Sequence, residues 1–402
     1  MRMLALARKP PPARPVSGAP FRVRTVTSQD ISPGLVSAWS ELEMRACEPN
    51  AYLSPHFVLP ALRHLDPGEP ILIVLVESAA PGTGELLGVG VFRPVLGTRR
   101  FPIPHLVGYR SKHSFLGGLL LDRERGADAL EALFDHLRPL RWRWHGLDLV
   151  DVWGDGLQSD LIKDATARRG LFHHERDLRA RAVLVTPRGS QARVELAART
   201  LQARDKGARR YLRKLEERGR VSWELHRHAA ISDAAVESFL ALEHRGWKGE
   251  SNTSLRSNRA EEAFFRDVVS GFGAVGRALF TELTLDGQVV ASTSNFVSGD
   301  AGFAFKAGWL PELAKMSPGV LNEVELMRSF LQGRCGDLAL FDSGAAAGSY
   351  IDKLWSDRRP LVSSAIALSS MGGSVLRVGR AARAVQRRLQ SAGLIATESD
   401  AA

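Results

Sequence analysis

Apolar positions in the second half of this chain alternate first and then fall into helical spacing, and their order predicts a defined set of elements. Residues 281–285 and 289–296 are β-rich runs on either side of Asp286-Gly287, a dipeptide suited to a two-residue hairpin turn. Ser298-Gly299-Asp300 turns the chain into a third strand over 302–307. Leu321, Val324, Leu326 and Met327 then recur at helical intervals after Ser317-Pro318-Gly319. Ser suits the N-cap and Pro the first helical position, so the helix starts there. A short strand over 338–341 closes on Asp342. Before this block the spacing predicts helices over 192–218, 231–245 and 258–269 and a strand over 221–227. After it come a strand over 363–368 and a helix over 375–389.

The first half repeats the pattern more weakly. Helical spacing covers 34–47 and 56–65, and strands over 71–76 and 86–92 flank a Pro81-Gly82-x-Gly84 turn. Residues 93–104 read as a loop or edge strand, followed by a helix over 127–137, a strand over 146–152, a helix over 159–169 and a strand over 180–185. Pro187 to Ser190 interrupts the pattern and marks a boundary. A chain of 402 residues exceeds one compact core. The expected organisation is a disordered Pro-rich tail over 1–20, a first domain over 21–187, a second over 190–368, and a basic amphipathic helix and tail over 369–402.

Composition narrows the setting. Two cysteines, far apart, give no disulfide framework and no cysteine metal site, and His173, His174, His226 and His228 lack further ligands at metal spacing. No metal is expected. No apolar run reaches transmembrane length and Pro10-Pro11-Pro12 cuts short any signal-like stretch, so a cytoplasmic protein is expected.

A net charge of +10 raises the question of phosphate-rich partners. Arg204, Lys206, Arg209, Arg210, Arg213, Lys214 and Arg218 crowd one helix whose buried stripe is Leu201, Ala208, Tyr211, Leu212 and Leu215. That face is either a solvated surface or a seat for coenzyme A, tRNA or a lipid-linked sugar. With Tyr211 alone available for base stacking, sequence-specific nucleic-acid binding is not expected. The helix over 375–389 places Val375, Val378, Ala382, Val385 and Leu389 on one face amid arginines, a pattern that docks on its own protein or on an anionic membrane surface.

Candidate chemistry clusters in the second half. Free amides at the Ser317, Gly319 and Val320 helix start form an anion cradle suited to phosphates, with Gly319 allowing close approach. Lys306, in an apolar strand, needs an anion, either a donor phosphate or Asp342. Asp342, at a strand end, suits a general base, and it equally suits a cap on the Gly-rich turn that follows. Tyr350 is a second proton-handling candidate, and Arg358 or Arg359 could bind phosphate or carboxylate. Gly271-Phe272-Gly273-Ala274-Val275-Gly276 has dinucleotide-loop spacing, but it follows a helix and precedes a strand, the reverse of what that loop needs. No nucleophile elbow occurs.

Taken in order, Trp247-Lys248-Gly249, Thr253, Leu255, Phe264-Phe265, Leu285-x-Gly287, Lys306, Ser317-Pro318-Gly319, Asp342-Ser343 and Leu354-Trp355 with Arg358-Arg359 resemble the CelD-like (BioF2-like) acetyltransferase domain of the GNAT superfamily, which is related to Fem-type transferases. The resemblance runs from about residue 192 to 360. Asn50, Leu53-Ser54-Pro55, residues 86–94 and His113-Ser114-Phe115-Leu116-Gly117 are similar to the N-terminal region of such proteins. It implies an α/β (α+β) fold of tandem GNAT-like domains with mixed sheets flanked by helices. The implied enzyme uses acyl-CoA or acetyl-CoA as donor and a sugar or envelope-precursor acceptor, as in exopolysaccharide biosynthesis, with Trp247 and Lys248 lining the acceptor cleft. Ser317-Pro318-Gly319 stands in place of the usual pyrophosphate loop. That substitution and the basic helix also suit a Fem-type enzyme using aminoacyl-tRNA, or a non-catalytic module of a polysaccharide-synthesis complex.

Overall fold

The computed structural model describes residues 21–79, 84–186, 191–227, 231 and 233–391. The expected N-terminal tail, the Pro81-Gly82 turn, the boundary at 187–190, His228 and the end of the C-terminal tail lie outside them. In chain order the elements are β1 (Phe21–Val26), α1 (Pro33–Met44), α2 (Pro55–His64), β2 (Leu72–Ser78), β3 (Leu86–Val95), β4 (His105–Gly108), β5 (Leu120–Leu121), α3 (Gly126–Leu137), β6 (Gly146–Trp153), α4 (Leu157–Arg168) and β7 (His173–Val185). There follow α5 (Gln191–Glu216), β8 (Val221–Arg227), α6 (Asp233–His244), α7 (Trp247–Glu250), α8 (Arg259–Ala274), β9 (Ala278–Leu285), β10 (Gln288–Ser298), β11 (Ala301–Trp309), α9 (Pro318–Leu331), β12 (Leu340–Asp342), α10 (Ile351–Leu354), β13 (Asp357–Ala367) and α11 (Ser370–Ser391).

All the strands join one mixed α/β sheet, in the order β1-β2-β3-β4-β6-β13-β7-β12-β11-β10-β9-β8, with β5 on β3. Read inward from either edge, each half presents three antiparallel joints and then one parallel joint, β4 to β6 in the first half and β11 to β12 in the second. The centre is an exchange. β13 of the second half lies between β6 and β7, and β7 of the first half lies between β13 and β12.

Local rules explain most boundaries. Asp286 and Gly287 have φ of 50° and 81°, the double positive φ of a tight hairpin between β9 and β10. Asn258 accepts the Ala260 N–H and so opens α8, which carries on to Ala274; Gly271 and Gly273 are therefore helical, and Gly276 (φ 71°) makes the turn. The largest core cluster joins the halves, packing Trp39, Phe57 and Val58 with Phe239, Phe264, Phe265, Phe272, Phe280 and Phe305.

β13 begins at Asp357 instead of 363, because Arg359, Pro360 and Leu361 already pair with β7. Among the described residues no helix is long and apolar enough to cross a membrane.

Candidate active site

The parallel pairing of β11 with β12 lasts three residue pairs, Ala301 with Leu340, Gly302 with Phe341 and Phe303 with Asp342. Just beyond it, β11 carries a bulge. Ser294 of β10 faces Lys306 and Asn295 faces Ala304, leaving Phe305 as an extra residue, an irregularity that often re-aims side chains beside sites. A cavity of about 190 Å³ opens there. Its walls are Ala304, Phe305, Lys306 and Ala307 of β11, Thr293 of β10, Glu323 of α9, Ser343 to Ala345 after β12, Ser349 to Ile351 and Trp355 around α10, and Phe115 from the first half.

Gly344 is needed at this opening. Its φ is 62°, and a Cβ there would stand 2.8 Å from the Ala304 carbonyl and 2.9 Å from the Phe115 ring. The Tyr52 hydroxyl donates to that same carbonyl at 3.1 Å and Tyr52 packs edge-on against Phe115 and Phe303, so a first-half cluster braces the cavity.

The cavity holds two charged groups without partners. Glu323 is 4% exposed, its Oε2 is buried with no hydrogen-bond partner, and burial alone pushes its carboxyl up to about 7. Lys306 makes no ion pair among the described residues; its Nζ lies 5.4 Å from the Phe305 ring centre and 5.9 Å from that of Phe115. Burial, with Lys248 adding, lowers its ammonium to about 8. Tyr350 shares the cavity with about half its surface open to solvent, and partial desolvation together with the Glu323 charge raises its phenol, so it stays protonated. Beneath the floor a polar chain is closed: Trp223 donates to Asn322 (2.8 Å), Asn322 to Thr281 (2.8 Å), and Thr281 meets Thr293 (2.6 Å).

Of the residues expected from sequence, Lys306 and Tyr350 line this cavity. Asp342 does not. It is fully buried, its Oδ2 takes Arg181 at 3.3 Å and its Oδ1 accepts the Gly344 N–H at 3.0 Å, which makes it a cap on the Gly-rich turn. Ser317 precedes α9 in the left-handed region (φ 46°), and its hydroxyl donates back to Ala314 instead of capping. Gly319 faces the Trp309 ring, where a Cβ would stand 3.2 Å away. With Pro318 lacking an N–H and Leu321 bonded to Ser317, the Gly319 and Val320 amides are the free ones at the helix start.

Lys248 donates to Glu243 (3.1 Å) and to the Ala307 carbonyl (2.9 Å), behind the cavity wall. Trp247 opens α7, and its side chain lies outside the described residues. Arg358 is spent on the carbonyls of Asp352, Trp355 and Asp357. Arg359 is buried between Glu48 and Asp155 over the Trp153 ring. Both arginines are strand residues of β13, and neither is part of the cavity lining.

Glu323 escaped the sequence reading although a signal existed. It precedes Leu326 and Met327 by three and four residues, which places a carboxylate on the helix face that enters the core.

The matching opening in the first half is filled. After Val107 pairs with Asp148, the chain over 110–119 returns across β6, where Gly117 donates to the Asp151 carbonyl at 2.9 Å. A Cβ on Gly117 would lie 2.3 Å from the Val150 carbonyl.

Residues 202–350 match the family model for an acetyltransferase (GNAT) domain. The chain thus carries a GNAT-superfamily domain, and with it the acyltransferase class. No curated protein matches the sequence. The fold resembles FemX, with 11% identity over 86% of this chain and 97% of that one and a TM-score of 0.52. It also resembles the C-terminal domain of a protein assigned as a lysylphosphatidylglycerol synthetase in Agrobacterium fabrum (12% identity, 85% and 93% coverage, TM-score 0.51). A third relative in fold is a protein of unknown function from Bacteroides thetaiotaomicron (11%, 88% and 100%, TM-score 0.53).

Proposed function

We propose that this GNAT-domain enzyme moves an acyl group from an acyl-CoA thioester to an amine, or to a hydroxyl, of a sugar or cell-envelope precursor, with Glu323 as the base. The observation that carries the reading is Glu323 itself, a buried carboxylate without a partner among the described residues, set to titrate near pH 7 in the wall of the opening where β11 and β12 part. Glu323 removes a proton from the attacking group. The protonated Tyr350 phenol then supplies a proton to the departing thiolate. The free Gly319 and Val320 amides, about 6 and 4.5 Å from Glu323 along the α9 axis, suit an anionic group of the donor.

The exposed face of α5 supports an aminoacyl-tRNA donor as a second reading. Lys206, Arg209, Arg210 and Arg213 face solvent there, while Arg204 anchors the helix to the Leu354 carbonyl beside the cavity wall. On α11, Val378 and Val385 are exposed among arginines, which supports contact of a cytoplasmic enzyme with an anionic membrane surface.

Thermal shift with coenzyme A, acetyl-CoA and bulk tRNA tests the donor. Stabilisation by the coenzyme A species is the expected result. Salt-sensitive stabilisation by tRNA alone moves the assignment to the aminoacyl donor, and silence toward all three leaves a non-catalytic module.

A further inference from the structure

Glu323 and Lys306 sit in one cavity with opposite charges, and neither has an ion-pair partner among the described residues. The carboxylates nearest Lys306 are already committed. Glu261 is held by His113 at 2.8 Å and by Lys112. Glu243 accepts Lys248 at 3.1 Å and the Leu255 N–H at 2.9 Å. Lys306 is left over two aromatic rings, a weak substitute for an anion. Glu323 has a buried, unpartnered oxygen and no cation beside it. The rest of the lining is largely apolar, with Phe115, Phe305, Ala304, Ala307, Ala345, Ile351 and Trp355. Leaving two charges in such a wall costs folding free energy, and a bound molecule that supplied both counter-charges would remove the cost.

We infer that the acceptor is a small zwitterion, an ammonium and a carboxylate on one short frame, with the ammonium at Glu323 and the carboxylate at Lys306. The cavity's size, about 190 Å³, suits an amino acid or the amino-acid end of a larger precursor. This rests on the acyltransferase reading and narrows its acceptor. In the reaction the ammonium gives one proton to Glu323, and the freed lone pair forms the N–C bond at the thioester carbon. The C–S bond then breaks, and the second N–H proton lost from nitrogen balances the one taken by the thiolate through Tyr350. The products are an N-acyl amino acid, the free thiol and one proton.

The test titrates the full chain with free α-amino acids, the matching amino-acid amides, the matching deaminated carboxylic acids, and the ω-amino acids β-alanine and 4-aminobutyrate. Binding is read by calorimetry. Amino acids should bind at least ten-fold more tightly than either single-charge series. Lys306→Met should erase the preference for acid over amide, whereas Lys306→Arg should keep most of it. The best spacing separates a free α-amino acid from an ω-amino, carboxylate-bearing end of a larger acceptor. Equal binding of amides and acids, or no binding by any zwitterion, overturns the inference. Thiol release from acetyl-CoA keeps the two claims apart. Release driven equally by plain alkylamines sinks the zwitterion and leaves the acyltransferase standing. Amino-acid binding without release from any thioester retains the zwitterion site and sinks the donor.

Discussion

Replacing Glu323 by Gln tests the site with the largest and most directional effect. The carboxyl ordinarily titrates at 4.5 and here at about 7, because burial disfavours its charged form. A difference of that size makes ionisation in the folded state cost about 3 kcal/mol. The sign follows from linkage. Between the two values the folded chain holds a proton that the unfolded chain has lost, so this group's stabilising contribution is full below 4.5 and falls as pH rises through 7. Gln cannot ionise. Wild type and Glu323→Gln should therefore differ in stability by an amount that shifts by about 3 kcal/mol toward the variant between pH 4 and pH 8. Urea midpoints of the two proteins at matched pH measure it, since all other titrations cancel in the difference. Turnover should move the opposite way. Wild-type kcat/KM climbs tenfold per pH unit below 7 and falls again above about 8 as Lys306 loses its proton, while the variant loses about 100-fold or more and the rising limb. A stability difference independent of pH, or a variant that retains the wild-type rate profile, refutes both the buried charge and its role as base.

Asp342→Asn should lower stability by about 1–3 kcal/mol through its bonds to Arg181 and the Gly344 N–H, and change kcat only a few-fold; a 100-fold rate loss in a stable variant would restore Asp342 as the base. Gly344→Ala places a Cβ in the left-handed region against the Ala304 carbonyl and should cost at least about 1–2 kcal/mol by denaturant midpoint. Arg277 pairs with fully buried Glu43 at 2.8 Å, so Arg277→Met should cost about 3–5 kcal/mol, with most of it recovered in the Glu43→Leu, Arg277→Met double variant.

The β9–β10 hairpin, the Pro318 helix start and the β8 bounds were legible because each depends on residues adjacent in sequence. β7 and β13 were seen only in part, for a different reason. β7 carries Arg176, Arg179 and Arg181 into the middle of the sheet, which no alternation of apolar residues would announce. Arg176 is met by Asp148 at 2.6 Å, Arg179 by Asp151, and Arg181 by Asp342 at 3.3 Å. Arg359 of β13 is met by Glu48 and Asp155 in the same manner. Each partner lies tens to hundreds of positions away, so a paired cation such as buried Arg181 or Arg359 reads from sequence as a surface or ligand-binding one. For the same reason the sequence offers Arg359 and Asp342 as site residues without showing that each already has protein partners.

Those charge pairs also explain how one half of the molecule can serve the other. β7 and β13 are exchanged between the halves, and their arginines bind carboxylates from both: Asp148 and Asp151 from the first, Asp342 from the second. The exchange fixes β12 against a first-half strand, which sets where β12 leaves β11 and therefore where the cavity opens. In the first half the returning chain over 110–119 covers the equivalent split, and from that plug Phe115 reaches across to wall the cavity of the second. The first half has given up its own opening, and its packing now determines the shape of the other.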